Sequence, residues 1–257
     1  MNRLKIEQLS DGVVVDRSWL KGKSIDAPLV DYYLRKGYLV RVASGAYRRP
    51  GAPLKWQHLV YSLQVLGFKV HVGGRSALEL KGFAHYLPLN KKQLVHLFSE
   101  KKLPKWIFKT NVNVKFVEHT KGLFKNNKNN RGLNTMLFGS WDWEINVASP
   151  ERAILEMIAA VPGKESFHMV NVMMESASTL RPDLVSSLLK ECKNIKVKRL
   201  FLWFAEKHKH QWFERLKLEH VDLGKGKRVI QRGGKLDSKY LITVPNDNND
   251  RQEQPLF

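Results

Sequence analysis

Between Asp16 and Gly51 the residue types able to do chemistry are mostly cations: Lys21, Lys23, Arg35, Lys36, Arg41, Arg48 and Arg49, with Tyr32 among them. Ammonium and guanidinium groups that stay charged at neutral pH serve poorly as proton-transfer groups. They neutralise phosphates and displace condensed counterions from nucleic acid. Elsewhere the 257 residues show no pair of carboxylates, strand-borne Ser or Cys–His pattern with the spacing of a catalytic centre. Cys192 is the only cysteine, which excludes an intrachain disulfide and a thiolate metal cluster and fits a cytoplasmic compartment.

The charge of the whole chain agrees with a polyanion partner. Lys and Arg number 44 against 24 Asp and Glu, a net charge of +20. The excess falls in three stretches: +5 over residues 1–52, +9 over 91–131 and +9 over 193–239. The first residues hold no apolar run of signal-peptide length, and the longest apolar run, Leu200–Ala205, is far too short to span a membrane.

Two helices and a hairpin must position the first cluster. Asp16 can cap a short helix whose Trp19 and Leu20 point inward, and Lys21-Gly22-Lys23 reads as a tight turn. Leu29, Val30, Tyr33 and Leu34 recur at helical spacing, with Ser24 or Asp26 as the cap and Gly37 as the stop. Alternation from Leu39 to Val42 and from Ala46 to Arg48 around Ser44-Gly45 then predicts a β-hairpin. Helix, turn, helix and hairpin together predict a winged helix. Its second helix would face the major groove, with Lys21, Lys23, Tyr32, Arg35 and Lys36 on the recognition side and Arg41, Arg48 and Arg49 on the wing. The start of that helix, Asp26-Ala27-Pro28, lacks the Arg, Gln or Asn that reads base edges.

Gly51-Ala52-Pro53 breaks the pattern and predicts a domain boundary, 1–52 against 53–245, with a further division near 90–95 and a frayed tail over 246–257. The second region reads as mixed α+β. A helix is expected from Trp56, a turn at His71–Gly74, and a capping box at Ser76 and Glu79. Strands are expected near 95–98 and 112–117 and a loop over 121–134. Helices are expected from Ser149-Pro150-Glu151 and near 168–175, 182–192 and 197–208. Val221–Leu223 and Tyr240–Val244 read as a hairpin around Gly224–Arg228.

Other constellations carry weaker chemistry. Gly73-Gly74-Arg75-Ser76 could hold a phosphate, although a turn with a cap is the plainer reading. Gly224–Arg228 is basic and flexible but lacks the spacing of a P-loop. Lys196, Lys198 and Arg199 would lie on the solvated face of a helix and could lengthen a DNA footprint. His208 and His210 lack acidic or thiol neighbours for a metal site. Glu79-Leu80-Lys81, with Asp142 and Glu144, offers the residue types of a metal-dependent nuclease but no fixed geometry. No cofactor is implied.

The run VVVDRSWLKGKSIDAPLVDYYLRKGYLVRVASGAYRRPG (13–51) resembles the N-terminal winged helix of the AbiEi family, antitoxins and transcriptional regulators of type IV toxin–antitoxin (abortive infection) systems. The likeness continues through HVGGRSALELKGFAHYLPL (71–89), SPERAILEMI (149–158), KVKRLFLWFAE (196–206), DLGKGKRVI (222–230) and KYLITVP (239–245). The resemblance implies an N-terminal domain that binds inverted repeats in its own promoter and a C-terminal domain that confers antitoxin activity. It also implies a nucleotidyltransferase toxin countered without a stable complex, and no enzymatic activity. Asp26-Ala27-Pro28 departs from the Ser-Arg-Gln-like start of the family at that helix. The expectation is a DNA-binding repressor and antitoxin acting on double-stranded DNA; the alternative is a winged helix that binds protein and ignores DNA.

Overall fold

In the computed structural model the described residues are 6, 9–83, 92–125, 130–139 and 143–246. The expected tail beyond residue 246 and Asp142 lie outside them. The chain forms two units. The first is built from 1–72, 87–121 and 135–146, the second from 73–86, 122–134 and 147–257. A cut after residue 52 therefore falls inside the first unit, because aromatic residues from later segments complete the winged-helix core.

The first unit opens with β1 (Val15–Asp16), α1 (Arg17–Gly22), α2 (Ala27–Arg35), β2 (Val40–Ala43) and β3 (Ala46–Arg48). The three strands form an antiparallel sheet in the order β1-β3-β2. This is a winged helix. Asp16 caps α1 by accepting from the Trp19 amide at 2.9 Å, and Asp26 caps α2 by accepting from Leu29 at 3.1 Å. The turn between the helices differs from expectation. Gly22 stays in α1, and the left-handed residue is Ser24, with φ of 56°. The reason is Ile25: its amide donates to Leu20 O and its side chain is buried, so the chain must reverse just before it. Gly37 ends α2 at φ 71°, as its position predicts. Val15, Leu20, Val30, Tyr33 and Tyr47 form the core, against which Tyr61, Leu66 and Trp143 also pack.

Next in the chain is α3 (Trp56–Val65), with Leu59, Val60 and Leu63 buried. A five-stranded sheet contains β4 (Val70–Val72), β5 (Gln93–Ser99), β6 (Val114–His119), β7 (Leu133–Phe138) and β8 (Trp143–Ala148), in the order β6-β5-β4-β8-β7. The turn expected at His71 is thus the strand β4. A short 3₁₀ helix, Lys105–Lys109, packs beside β2 and β6.

The second unit is mainly helical: α4 (Gly74–Leu80), α5 (Pro150–Ala159), α6 (Phe167–Glu175), α7 (Pro182–Glu191) and α8 (Ile195–Lys207). Helix α5 is the hub and packs on the other four. It is buried from Glu151 to Ile158, charged residues included. Those charges are paired. Glu151 accepts from Arg181 Nε at 2.8 Å, and Glu156 accepts from Arg152 Nε at 2.8 Å and from the Gly74 amide at 3.1 Å. Burial alone would raise the Glu151 pKa, but the hydrogen bonds from Arg181 and from neighbouring groups together outweigh it and hold the carboxyl below its ordinary value.

Helix α4 starts at Gly74, two residues before the expected capping box. Ser76 lies inside the helix and Glu79 bonds Arg75 Nε at 2.7 Å instead of reaching back. The closing sheet, β9 (Arg228–Val229), β10 (Lys235–Asp237) and β11 (Ile242–Val244), has the order β10-β11-β9. Residues 221–223 are not a strand, and β9 runs parallel to β11, so the expected hairpin is absent.

Candidate nucleic-acid interface

The cations of the winged helix divide into two groups by what they touch. Lys21, Lys23, Arg35, Lys36 and Arg41 are exposed, as is Tyr32 on α2. Lys23 Nζ lies 5.6 Å from the Trp19 ring centroid, which restricts its stem while leaving the ammonium in solvent. Along α2 the exposed residues are Ala27, Pro28, Asp31, Tyr32 and Arg35. Its positive charge therefore gathers at the C-terminal end, with Arg35 and Lys36. At the other end Asp26 has its carboxylate engaged as the cap.

Tyr47 joins the helices to the wing. Its ring is buried, with 1% exposure, and faces Val15 on one side of the sheet register and Arg41 on the other. The Arg41 guanidinium sits 6.0 Å from the ring centroid. Arg17 Nε, from the first residue of α1, donates to Tyr47 Oη at 3.2 Å. The hydrogen bond to Tyr47, and to a lesser degree the Asp31 carboxylate on α2, hold Arg17 above its ordinary pKa. One buried tyrosine thus touches two exposed guanidinium groups, Arg17 from α1 and Arg41 from β2. The sequence reading missed Arg17. The signal available was its place directly after a capping aspartate, where a helix begins beside a strand.

Arg48 and Arg49 behave differently from the wing contacts expected of them. Arg48 Nη1 donates to Ala52 O at 2.7 Å and Nη2 to Gly51 O at 3.3 Å, and burial lowers its pKa. Arg49 Nη1 donates to Leu9 O at 3.2 Å and lies 3.2 Å from Asp11 Oδ1. The wing is short, turning at Ser44-Gly45, and Arg48 pairs with Val40 at its base, far from the tip. From the base a guanidinium reaches the chain's own carbonyls.

The three cations of α8 are structural. Lys196 Nζ donates to Ala159 O at 3.2 Å and to Val161 O at 2.5 Å, which satisfies carbonyls at the end of α5. Lys198 is buried and its ammonium donates to Asp222 O. Arg199 is 2% exposed and donates to the carbonyls of Leu223, Gly224, Gly226 and Leu241 at 2.7–3.3 Å. Burial lowers the pKa of both Lys196 and Arg199. The expected solvated face fails because the segment from 222 to 241 lies over it. On that segment Lys225, Lys227, Arg228, Arg232, Lys235 and Lys239 are exposed.

The other candidate sites have their groups engaged. The Gly74 amide, which a phosphate would need, is bonded to Glu156. Glu79 is paired with Arg75. His208 Nε2 lies 3.1 Å from Asn171 Oδ1, and His210 Nε2 donates to Met174 O at 2.6 Å. Among the described residues no cluster of three or more His, Cys, Asp or Glu side chains is placed to hold a metal ion. None of their helices is long and apolar enough to cross a membrane.

Comparison with known proteins divides the chain near residue 90. Residues 2–89 match the family model described as transcriptional regulator, AbiEi antitoxin N-terminal domain. Residues 92–245 match that described as transcriptional regulator, AbiEi antitoxin, type IV TA system. No curated protein matches the chain. Among solved structures it resembles the crystal structure of the RV2827C protein from Mycobacterium tuberculosis, at 14% identity and a TM-score of 0.55 over 90% of this chain and 85% of that one, a likeness of fold. A winged helix with exposed cations, joined to a helical α+β unit and matched by both models, places the chain in the AbiEi antitoxin family of type IV toxin–antitoxin transcriptional regulators.

Proposed function

We propose that the chain represses transcription by binding inverted repeats in its own promoter, and that it counters a nucleotidyltransferase toxin without forming a stable complex with it. The observation that carries the DNA reading is the exposed set Arg17, Arg35, Lys36 and Arg41, two of whose guanidinium groups are organised on Tyr47. Fixed guanidinium groups on neighbouring elements suit a phosphate rail. They position a helix in the major groove without reading bases. Sequence preference then rests on Tyr32, Lys21 and Lys23 and on the shape of the duplex, since the start of α2 offers no base-reading amide or guanidinium.

A second reading has one observation in its favour: Asp31 is exposed on the outer face of α2, where it would repel a phosphate. A protein-binding winged helix would use that face differently. Titration of the promoter duplex with the Arg35→Ala/Lys36→Ala/Arg41→Ala variant separates the two. Removing three phosphate contacts is expected to weaken binding more than about 100-fold and to reduce the slope of log K against log salt by about 3. Unchanged affinity and slope would sink the DNA reading. Arg48 and Arg49 are poor targets for this test, because their loss would release Ala52 and Leu9 carbonyls and disturb the fold itself.

A further inference from the structure

We infer that the 3₁₀ helix Lys105–Lys109 is a second DNA-contacting element, outside the winged helix and beside its wing; this rests on the DNA reading above. Its local sequence, KKLPKWIFKTNVNVK from 101 to 115, carries five lysines and no acid. The element is anchored. Trp106 and Ile107 are buried at 5% and 1% exposure, Pro104 precedes the first turn, and Thr110 Oγ1 donates to Ile107 O at 2.7 Å. Leu103 is buried and its amide is held by the Glu118 carboxylate. Against this anchored base Lys105, Phe108 and Lys109 face solvent.

Phe108 is 45% exposed, the one phenylalanine among the exposed large apolar side chains of the described residues. In a 3₁₀ helix residues three apart eclipse, so Lys105 and Phe108 share one edge and Lys109 follows directly. The helix packs beside β2, the strand that carries Arg41. The nearest acids in sequence are occupied: Glu100 pairs with Lys69, and Glu118 holds Leu103.

An aromatic ring between two lysines, in a segment without an acid of its own, suits one class of partner, a duplex approached along its backbone. The ammonium groups neutralise phosphates on either side of the minor groove. The ring lies against sugars or wedges at a base step, the role that exposed apolar side chains fill in minor-groove contacts. The footprint then extends past the wing, and the DNA-binding surface includes residues well beyond position 52.

Fluorescence anisotropy with the full chain and a duplex of its own promoter, over a salt series, tests this. Lys105→Ala/Lys109→Ala is expected to lower the salt slope by about 2 and to shorten the hydroxyl-radical footprint on one side. Phe108→Ala is expected to weaken binding about tenfold with the slope unchanged, because an apolar contact releases no counterions. If Arg35→Ala/Lys36→Ala weakens binding while both sets of 105–109 variants match the parent in affinity, slope and footprint, the second element is refuted and the winged-helix reading survives. If the parent chain fails to bind the duplex at all, both are refuted. Circular dichroism of each variant guards against misfolding, and Phe108→Leu, which keeps an apolar wedge, is expected to retain more affinity than Phe108→Ala.

Discussion

Arg41 and Arg199 are the same residue type with opposite environments. Arg41 stands in solvent beside a tyrosine ring, while Arg199 is enclosed and donates to four backbone carbonyls. A guanidinium has five donors in a planar fork, so one side chain can satisfy several carbonyls at once. Lysine cannot reproduce that fan. Arg199→Lys is therefore expected to destabilise the protein by about 2–4 kcal/mol, since buried carbonyls left without a donor cost roughly 1–3 kcal/mol each. Urea denaturation followed by circular dichroism measures it, and an unchanged midpoint would show that the enclosure contributes nothing. The charge of these residues was legible in the sequence. Their direction was not, because helical periodicity places Arg199 beside Lys196 without revealing that residues 222–241 return to cover Arg199 or that carbonyls at the end of α5 take up Lys196.

At the level of elements, local chemistry predicts structure well where the partners are neighbours in the chain. Asp16 and Asp26 cap α1 and α2 as their positions indicate, and Gly37 ends α2. Asp16→Ala is expected to cost about 1 kcal/mol and to lower the thermal midpoint by a few degrees, while Asp16→Asn retains most of the stability. Differential scanning calorimetry distinguishes the two variants, and equal midpoints would discount the cap. Prediction fails where the partner is remote. The start of α4 is set by Glu156, 82 residues away, whose carboxylate holds the Gly74 amide, so the helix begins before Ser76. Strands β7 and β8 show too little alternation to stand out, and β9 finds β11 in parallel instead of closing a hairpin.

Across the whole molecule, burial also sets the response to pH. Glu165 is 7% exposed; burial raises its pKa to about 7, with Arg75 opposing and Glu79 reinforcing the shift. The folded state thus holds a proton that the unfolded state releases near pH 4.5, so this group's contribution is fully present below pH 4.5 and is lost as pH rises to about 7. A shift of this size corresponds to about 3 kcal/mol. Glu165→Gln, which stays neutral, is expected to flatten stability across that window and to raise it near pH 8, measured as thermal midpoint against pH. A profile parallel to that of the parent would refute the assignment.

By itself the sequence determined the cationic character of the protein, the order and caps of its first two helices, the wing and the family likeness, because those depend on composition and on contacts a few residues apart. The tertiary structure decided which cations reach solvent. It engaged Arg48, Arg49 and Lys196 on the chain's own carbonyls, enclosed Lys198 and Arg199, and left Arg17, Lys105 and Lys109 exposed. A side chain's environment depends on segments that pack from far along the chain, and no local spacing encodes their arrival.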